Sequence, residues 1–204
     1  KPNYIFLDEI QNVKDFQRLV DSLYIKPNVD VYITGSNAYM LSGELATLLT
    51  GRYVEINLLP LQFSEYYNFI ISKSPNLSKN EILANFMHYG GIPEYIKQLS
   101  ISEKQADLFA DSILKTIIEK DIFQRLNITN KHDFNKIVDF IFDSVGSYVS
   151  PRSISDTLRS NGTVVDKETV AKYLDALCEA YLIYKVPRFE IKGKGLLQTL
   201  NKYY

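Results

Sequence analysis

The chain has 204 residues, 46% hydrophobic and 23% charged, with a net charge of −1. Those proportions belong to a globular protein and exclude the disordered and fibrous classes. The near-zero charge provides no global basic field for nucleic acid. The single Cys178 allows no intrachain disulfide, and no apolar run approaches the roughly 20 residues that span a bilayer, so a membrane protein is not expected.

Tyr4-Ile5-Phe6-Leu7 is a continuous apolar run that stops at Asp8-Glu9. Such a run suits a strand buried on both faces of a parallel sheet. Val13, Phe16, Leu19, Val20 and Leu23 recur at helical spacing and predict a helix over about residues 13–25. Val29 to Thr34 reads as a second buried strand closing in Gly35-Ser36-Asn37. Strand, helix, strand in this order asks for a right-handed parallel crossover. Residues 41–49 read as helix and 52–58 as a third strand, on the β-formers Tyr53, Val54 and Ile56.

After Pro60 the pattern turns helical. Ser78/Glu81 and Ser100/Glu103 fit capping boxes. Helices are predicted near 62–72, 79–89 and 102–120, with Gly90-Gly91-Ile92-Pro93 as a break. Glu119 and Asp121 read as a solvated charge run.

The last third has its own character. Phe134, Ile137, Val138, Ile141 and Val145 mark one helix. Ser150-Pro151 starts a second as N-cap and N1. Asp166 caps a third, with Val170, Tyr173, Leu174 and Leu177 on one stripe. Strand-like stretches at 182–186 and 196–204 flank a basic turn. Three helices followed by a β-hairpin is the order of a winged helix-turn-helix. His132 has no partner at metal spacing.

The acids at the end of the first strand carry the chemistry. Nucleotide hydrolysis needs one carboxylate near a bound Mg²⁺ and another to polarise water. An interior strand ending in Asp-Glu supplies both at the carboxyl edge of a sheet, where open α/β sheets bind ligands. A neighbouring strand ending in Thr34-Gly35-Ser36-Asn37 delivers polar groups beside them. Ser36 or Asn37 can equally cap the helix that follows, and the acidic strand end can equally be a solvated edge.

The runs Tyr-Ile-Phe-Leu-Asp-Glu-Ile-Gln (4–11) and Val-Tyr-Ile-Thr-Gly-Ser-Asn-Ala (31–38) resemble the Walker B and sensor-1 strands of P-loop ATPases. Gly51-Arg52, Pro60 to Glu65, Gly90 to Glu94 and the Thr169 to Leu177 helix follow in the order of a prokaryotic family of AAA-type ATPases. The resemblance implies α/β plus α architecture: a partial parallel-sheet ATPase core at 1–60, a helical lid or linker region at 61–130 and a winged-helix domain at 131–204. It implies ATP and Mg²⁺ as cofactors and a cytoplasmic location. It gives Asp8 the metal, Glu9 the catalytic glutamate, and Ser36 or Asn37 sensor 1. Arg52 becomes a phosphate-facing arginine, although an ion pair at a strand start explains it as well. No Gly-x-x-x-x-Gly-Lys-Ser/Thr loop occurs in these residues. The chain is therefore expected to be an internal piece of a longer protein, inactive as given, with self-association through its incomplete sheet.

The winged-helix region suggests the competing function, a DNA- or protein-binding module without catalysis. From Ser150 onward there are nine Lys/Arg against six Asp/Glu. Lys185, Arg188, Lys192 and Lys194 gather at the wing, where they suit phosphate contacts. Lys167 and Lys172 lie on the third helix among Glu168, Asp175 and Glu179, which is poor chemistry for reading base edges.

Overall fold

The computed structural model describes residues 3–36, 51–187 and 200–204. The expectations for Asn37, for a helix at 41–49 and for Arg188, Lys192 and Lys194 lie outside the described residues. The chain forms two compact units: Lys1–Tyr53 with Glu119–Tyr204, and Val54–Ile118.

In the first unit, β1 (Asn3–Leu7) and β2 (Val29–Ile33) pair in parallel, from Asn3 opposite Val29 to Leu7 opposite Ile33. The connection runs through a 3₁₀ turn (Ile10–Asn12) and helix α1 (Phe16–Tyr24). Ile10, Phe16 and Val20 are buried against Leu7, Val31 and Ile33. The predicted burial of both sheet faces is not observed. Side chains alternate across a strand, and α1 covers only the face bearing Leu7, Val31 and Ile33. On the other, Phe6 is 74% exposed and stacks on Tyr32 with ring centroids 5.0 Å apart.

The expected third strand at 52–58 is also absent. Residues 53–62 have no regular structure, and Val54 and Leu58 are about nine-tenths exposed. β-Propensity expresses fit to a neighbouring pleated surface, and among the described residues β1 and β2 pair only with each other.

The second unit holds α2 (Phe63–Lys73), α3 (Lys79–Tyr89), α4 (Pro93–Leu99) and α5 (Glu103–Ile117). Tyr66, Ile82 and Ile96 form its core. The predicted Ser78/Glu81 capping box is present. The one expected at Ser100 is not: Ser102 caps α5 and accepts a hydrogen bond from the Gln105 amide at 3.2 Å. The Gly90-Gly91 break separates α3 from α4, a short helix that the periodicity did not reveal. There the Leu61 amide donates to the Gly91 carbonyl at 2.8 Å. A Cβ on Gly91 would lie 2.1 Å from the Leu61 carbonyl oxygen, so only glycine fits.

The remainder of the first unit begins at Glu119, the second residue of a π-helical segment, Ile118–Gln124. It continues with α6 (Lys131–Asp143), β3 (Tyr148–Val149), α7 (Pro151–Ser160), α8 (Lys167–Glu179), β4 (Lys185–Val186) and β5 (Asn201–Tyr203). The three strands form an antiparallel sheet in the order β3-β5-β4. Phe134, Ile137, Ile154, Val170 and Leu177 are fully buried. Ring edges of Phe123 and Tyr173 meet Phe134 at 5.0 and 5.1 Å between centroids. Ser150 and Asp166 cap α7 and α8 as the sequence indicates. Among the described residues no helix is long and apolar enough to cross a membrane.

Candidate functional site

The parallel register carries the ends of β1 and β2 past each other in step. The ladder continues beyond the strands: the Thr34 amide donates to the Leu7 carbonyl at 3.0 Å, and the Ile10 amide donates to the Thr34 carbonyl at 3.2 Å. Asp8 and Glu9 are thereby fixed opposite Thr34, Gly35 and Ser36.

Thr34 links the two acids. Its hydroxyl donates to Asp8 Oδ1 and accepts from the Glu9 amide at 3.1 Å. Glu9 lies in the left-handed region at φ 48° and ψ 47°, a conformation that costs a non-glycine residue about 1–2 kcal/mol. Its Oε2 accepts from the Ser36 hydroxyl at 3.1 Å and also from Gln11 Nε2. Gln11 Nε2 lies 3.4 Å from Ser36 Oγ. Asp8, Glu9 and Ser36 therefore come together in one exposed cluster. Thr34 and Gln11 join them, roles that the sequence reading did not assign. The signal for Thr34 was a hydroxyl at the last position of the strand adjoining Asp8. Gln11 stood inside the quoted Walker B-like run, two residues after Glu9.

Arg52 is engaged elsewhere. Its guanidinium bonds Asp21 Oδ1 at 2.8 Å and lies over the Tyr24 ring, 5.8 Å from its centroid. Both partners belong to α1, and no strand follows Arg52. The ion-pair explanation describes this geometry.

The supposed solvated charge run at Glu119 and Asp121 divides in two. Glu119 pairs with Lys131 at 2.9 Å. Asp121, in the π-helical segment, has its carboxyl pushed above the usual range, first by burial and then by the charge of Glu9. A π-helical turn shifts the side chains that follow it and is often found at functional sites. The neighbouring Arg125 donates from Nε to the Asp121 carbonyl at 2.8 Å and pairs with Glu179 at 2.7 Å.

On α8, Lys172 lines an open cleft of about 500 Å³ together with Glu168, Asp175 and Glu179. Lys167 lies 3.6 Å from the Glu168 carboxylate, and Lys185 is in β4. The described part of this helix face is more acidic than basic.

A family described as an AAA domain matches residues 1–67. A second, described as a domain of unknown function (DUF8612), matches residues 80–204, more than half of the chain. The chain belongs to the DUF8612 family. An uncharacterized protein of Haemophilus influenzae is 38% identical to the DUF8612 chain over 201 residues, covering 98% of the chain and 50% of that protein. An uncharacterized protein of Methanocaldococcus jannaschii is 28% identical over 207 residues, covering 98% and 46%. The chain thus spans about half the length of the curated relatives it matches. Among solved structures, the Walker-type ATPase of Pyrococcus abyssi superposes with a TM-score of 0.61 at 16% identity, over 98% of the chain and 60% of that protein. The DUF8612 chain therefore has an AAA-like segment at residues 1–67 and shares the fold of that Walker-type ATPase.

Proposed function

We propose that the end of the β1–β2 sheet is the carboxylate half of an ATPase site, completed in a longer protein by a phosphate-binding loop that these 204 residues do not contain. The observation that carries this reading is the joining of Asp8, Glu9 and Ser36 through Thr34 and Gln11. The carboxylate and hydroxyl oxygens of this cluster are hard donors, which suit Mg²⁺. Asp8 would hold the ion, whose bound charge offsets the negative charge of the phosphates. Glu9 takes the proton of the attacking water, and the Ser36 hydroxyl orients that water or a terminal phosphate oxygen. The chain alone is not expected to bind ATP tightly, because backbone amides and a lysine from the missing loop supply most of the phosphate contacts. This reading places the protein in the cytoplasm.

The deciding experiment is Glu9→Gln in the whole protein. Hydrolysis should fall by about 10²-fold or more, the contribution of a general base, while calorimetry shows ATP binding retained. Unchanged turnover would remove Glu9 from the mechanism.

A second element of the proposal concerns residues 131–204. Helix, strand, two helices and two strands, with β5 between β3 and β4, support a winged helix. Its α8 face sets Glu168, Asp175 and Glu179 against Lys172, which favours docking to a protein or neighbouring domain over reading DNA. The exposed Tyr4, Phe6 and Tyr32 face of the sheet supports self-association of the 204-residue chain.

A further inference from the structure

We infer that Gln11 is a positioning residue for Glu9, its carboxamide tying the Glu9 carboxylate and the Ser36 hydroxyl into one unit. The inference rests on the proposed ATPase role of Glu9.

Three hydrogen bonds close a small ring. The Ser36 hydroxyl gives its proton to Glu9 Oε2. One Gln11 Nε2 hydrogen goes to the same carboxylate oxygen, and the other is directed to Ser36 Oγ. Glu9 and Ser36 come from different strands and have separate duties in the proposed mechanism. Gln11 couples their positions. An ionised carboxylate only accepts hydrogen bonds, so the amide orientation follows from chemistry: Nε2 faces Glu9 and Oε1 faces away.

That orientation leaves Gln11 Oε1 buried without a hydrogen-bond partner among the described residues. Buried acceptors are nearly always paired. An apolar side chain of similar length would fill the same space without an unmet acceptor. What only the amide provides is the pair of donors on Glu9 and Ser36. Glu9 itself is held in a left-handed conformation. A strained backbone and an unpaired acceptor two residues apart place the local cost at the residues that orient the base. Among the described residues the Ser36 hydroxyl and Gln11 Nε2 both donate to Oε2, so Oε1 of Glu9 is the oxygen left to take a proton from water.

The test uses the whole protein with Gln11→Leu and Gln11→Glu. The second keeps the shape, removes the donor, and guards against a folding defect in the first. For both, kcat should fall about tenfold or more while the ATP dissociation constant from calorimetry stays within about twofold. In the Glu9→Gln background, Gln11→Leu should add less than about a twofold loss, because both changes act through one carboxylate. A crystal structure of nucleotide-free Gln11→Leu should show the Glu9 carboxylate displaced from Ser36. The inference is overturned by unchanged kcat in Gln11→Leu, by an equal further loss in the Glu9→Gln background, or by an unmoved Glu9. Loss of turnover in Glu9→Gln with full turnover in Gln11→Leu sinks this inference alone. Full turnover in Glu9→Gln sinks the ATPase reading and this inference with it.

Discussion

At the end of β1, Glu9 occupies a left-handed conformation and Gln11 keeps a buried oxygen without a donor among the described residues. From α6 to α8, Asn130, Ser150 and Asp166 each accept a backbone hydrogen bond as N-caps, and Phe134, Ile154 and Leu177 have no exposed surface. Both regions belong to the same compact unit. The helical part satisfies local propensity, capping and packing together, which is how a sequence specifies a stable fold. The acid cluster breaks those rules over a few residues, and it is where the chemistry-bearing groups meet. Stability should therefore depend on the helices, and activity on the strand ends.

The largest effect expected on stability is at Phe134, whose ring meets those of Phe123 and Tyr173. Phe134→Ala should cost about 3–5 kcal/mol in denaturant unfolding through lost burial and a cavity. A loss under about 1 kcal/mol would remove the distinction between the regions. At the strand end, Glu9→Gly should leave stability unchanged or raise it by up to about 1 kcal/mol, because glycine adopts positive φ freely. The same change should abolish hydrolysis by the whole protein. A clear loss of stability would show that Glu9 supports the fold and not only the chemistry.

Two smaller effects follow pH. The Thr169 amide, donating at 2.7 Å, holds the Asp166 carboxyl below its usual range. The native state thus favours the anion. That stabilisation is complete above the unfolded value of about 3.9 and is lost as pH falls through the lowered native value. The melting temperature of Asp166→Asn should lie below wild type at pH 7, and the gap should close in acid. A gap independent of pH would assign the effect to shape rather than charge. Asp121 has the opposite sign. Burial, then the charge of Glu9, raise its native value, so the penalty for its charge is fully present above that value. Asp121→Asn should raise the melting temperature slightly at pH 7, and the gain should shrink as pH falls. A drop in melting temperature would show that the Asp121 carboxylate is favourably bonded.

The helices were legible because their signals are local. Ser78/Glu81, Ser150-Pro151 and Asp166 announce helix starts within a few residues. The parallel pairing of β1 and β2 was legible from one apolar run on each side of an amphipathic helix. Exposure of Phe6 was not, since an apolar run does not say which faces will be covered. Tyr53, Val54 and Ile56 misled for the same reason: their β-propensity is realised only beside a partner strand. The meeting of Asp8 and Glu9 with Ser36 followed from the strand order. The parts played by Thr34 and Gln11 required the register, which a single sequence leaves open. Arg52 was ambiguous in the sequence, and only the position of Asp21 on α1 showed its partner.

The contact between Gly91 and Leu61 obeys a different constraint from the acids. Carboxylates can be discarded by a lineage that abandons catalysis, as happens when an enzyme becomes a pseudoenzyme. The space above Gly91 is closed by backbone, which no exchange of side chains reopens. Descendants that keep this second unit should retain the glycine after the acids have drifted, which separates inheritance of the scaffold from inheritance of the reaction.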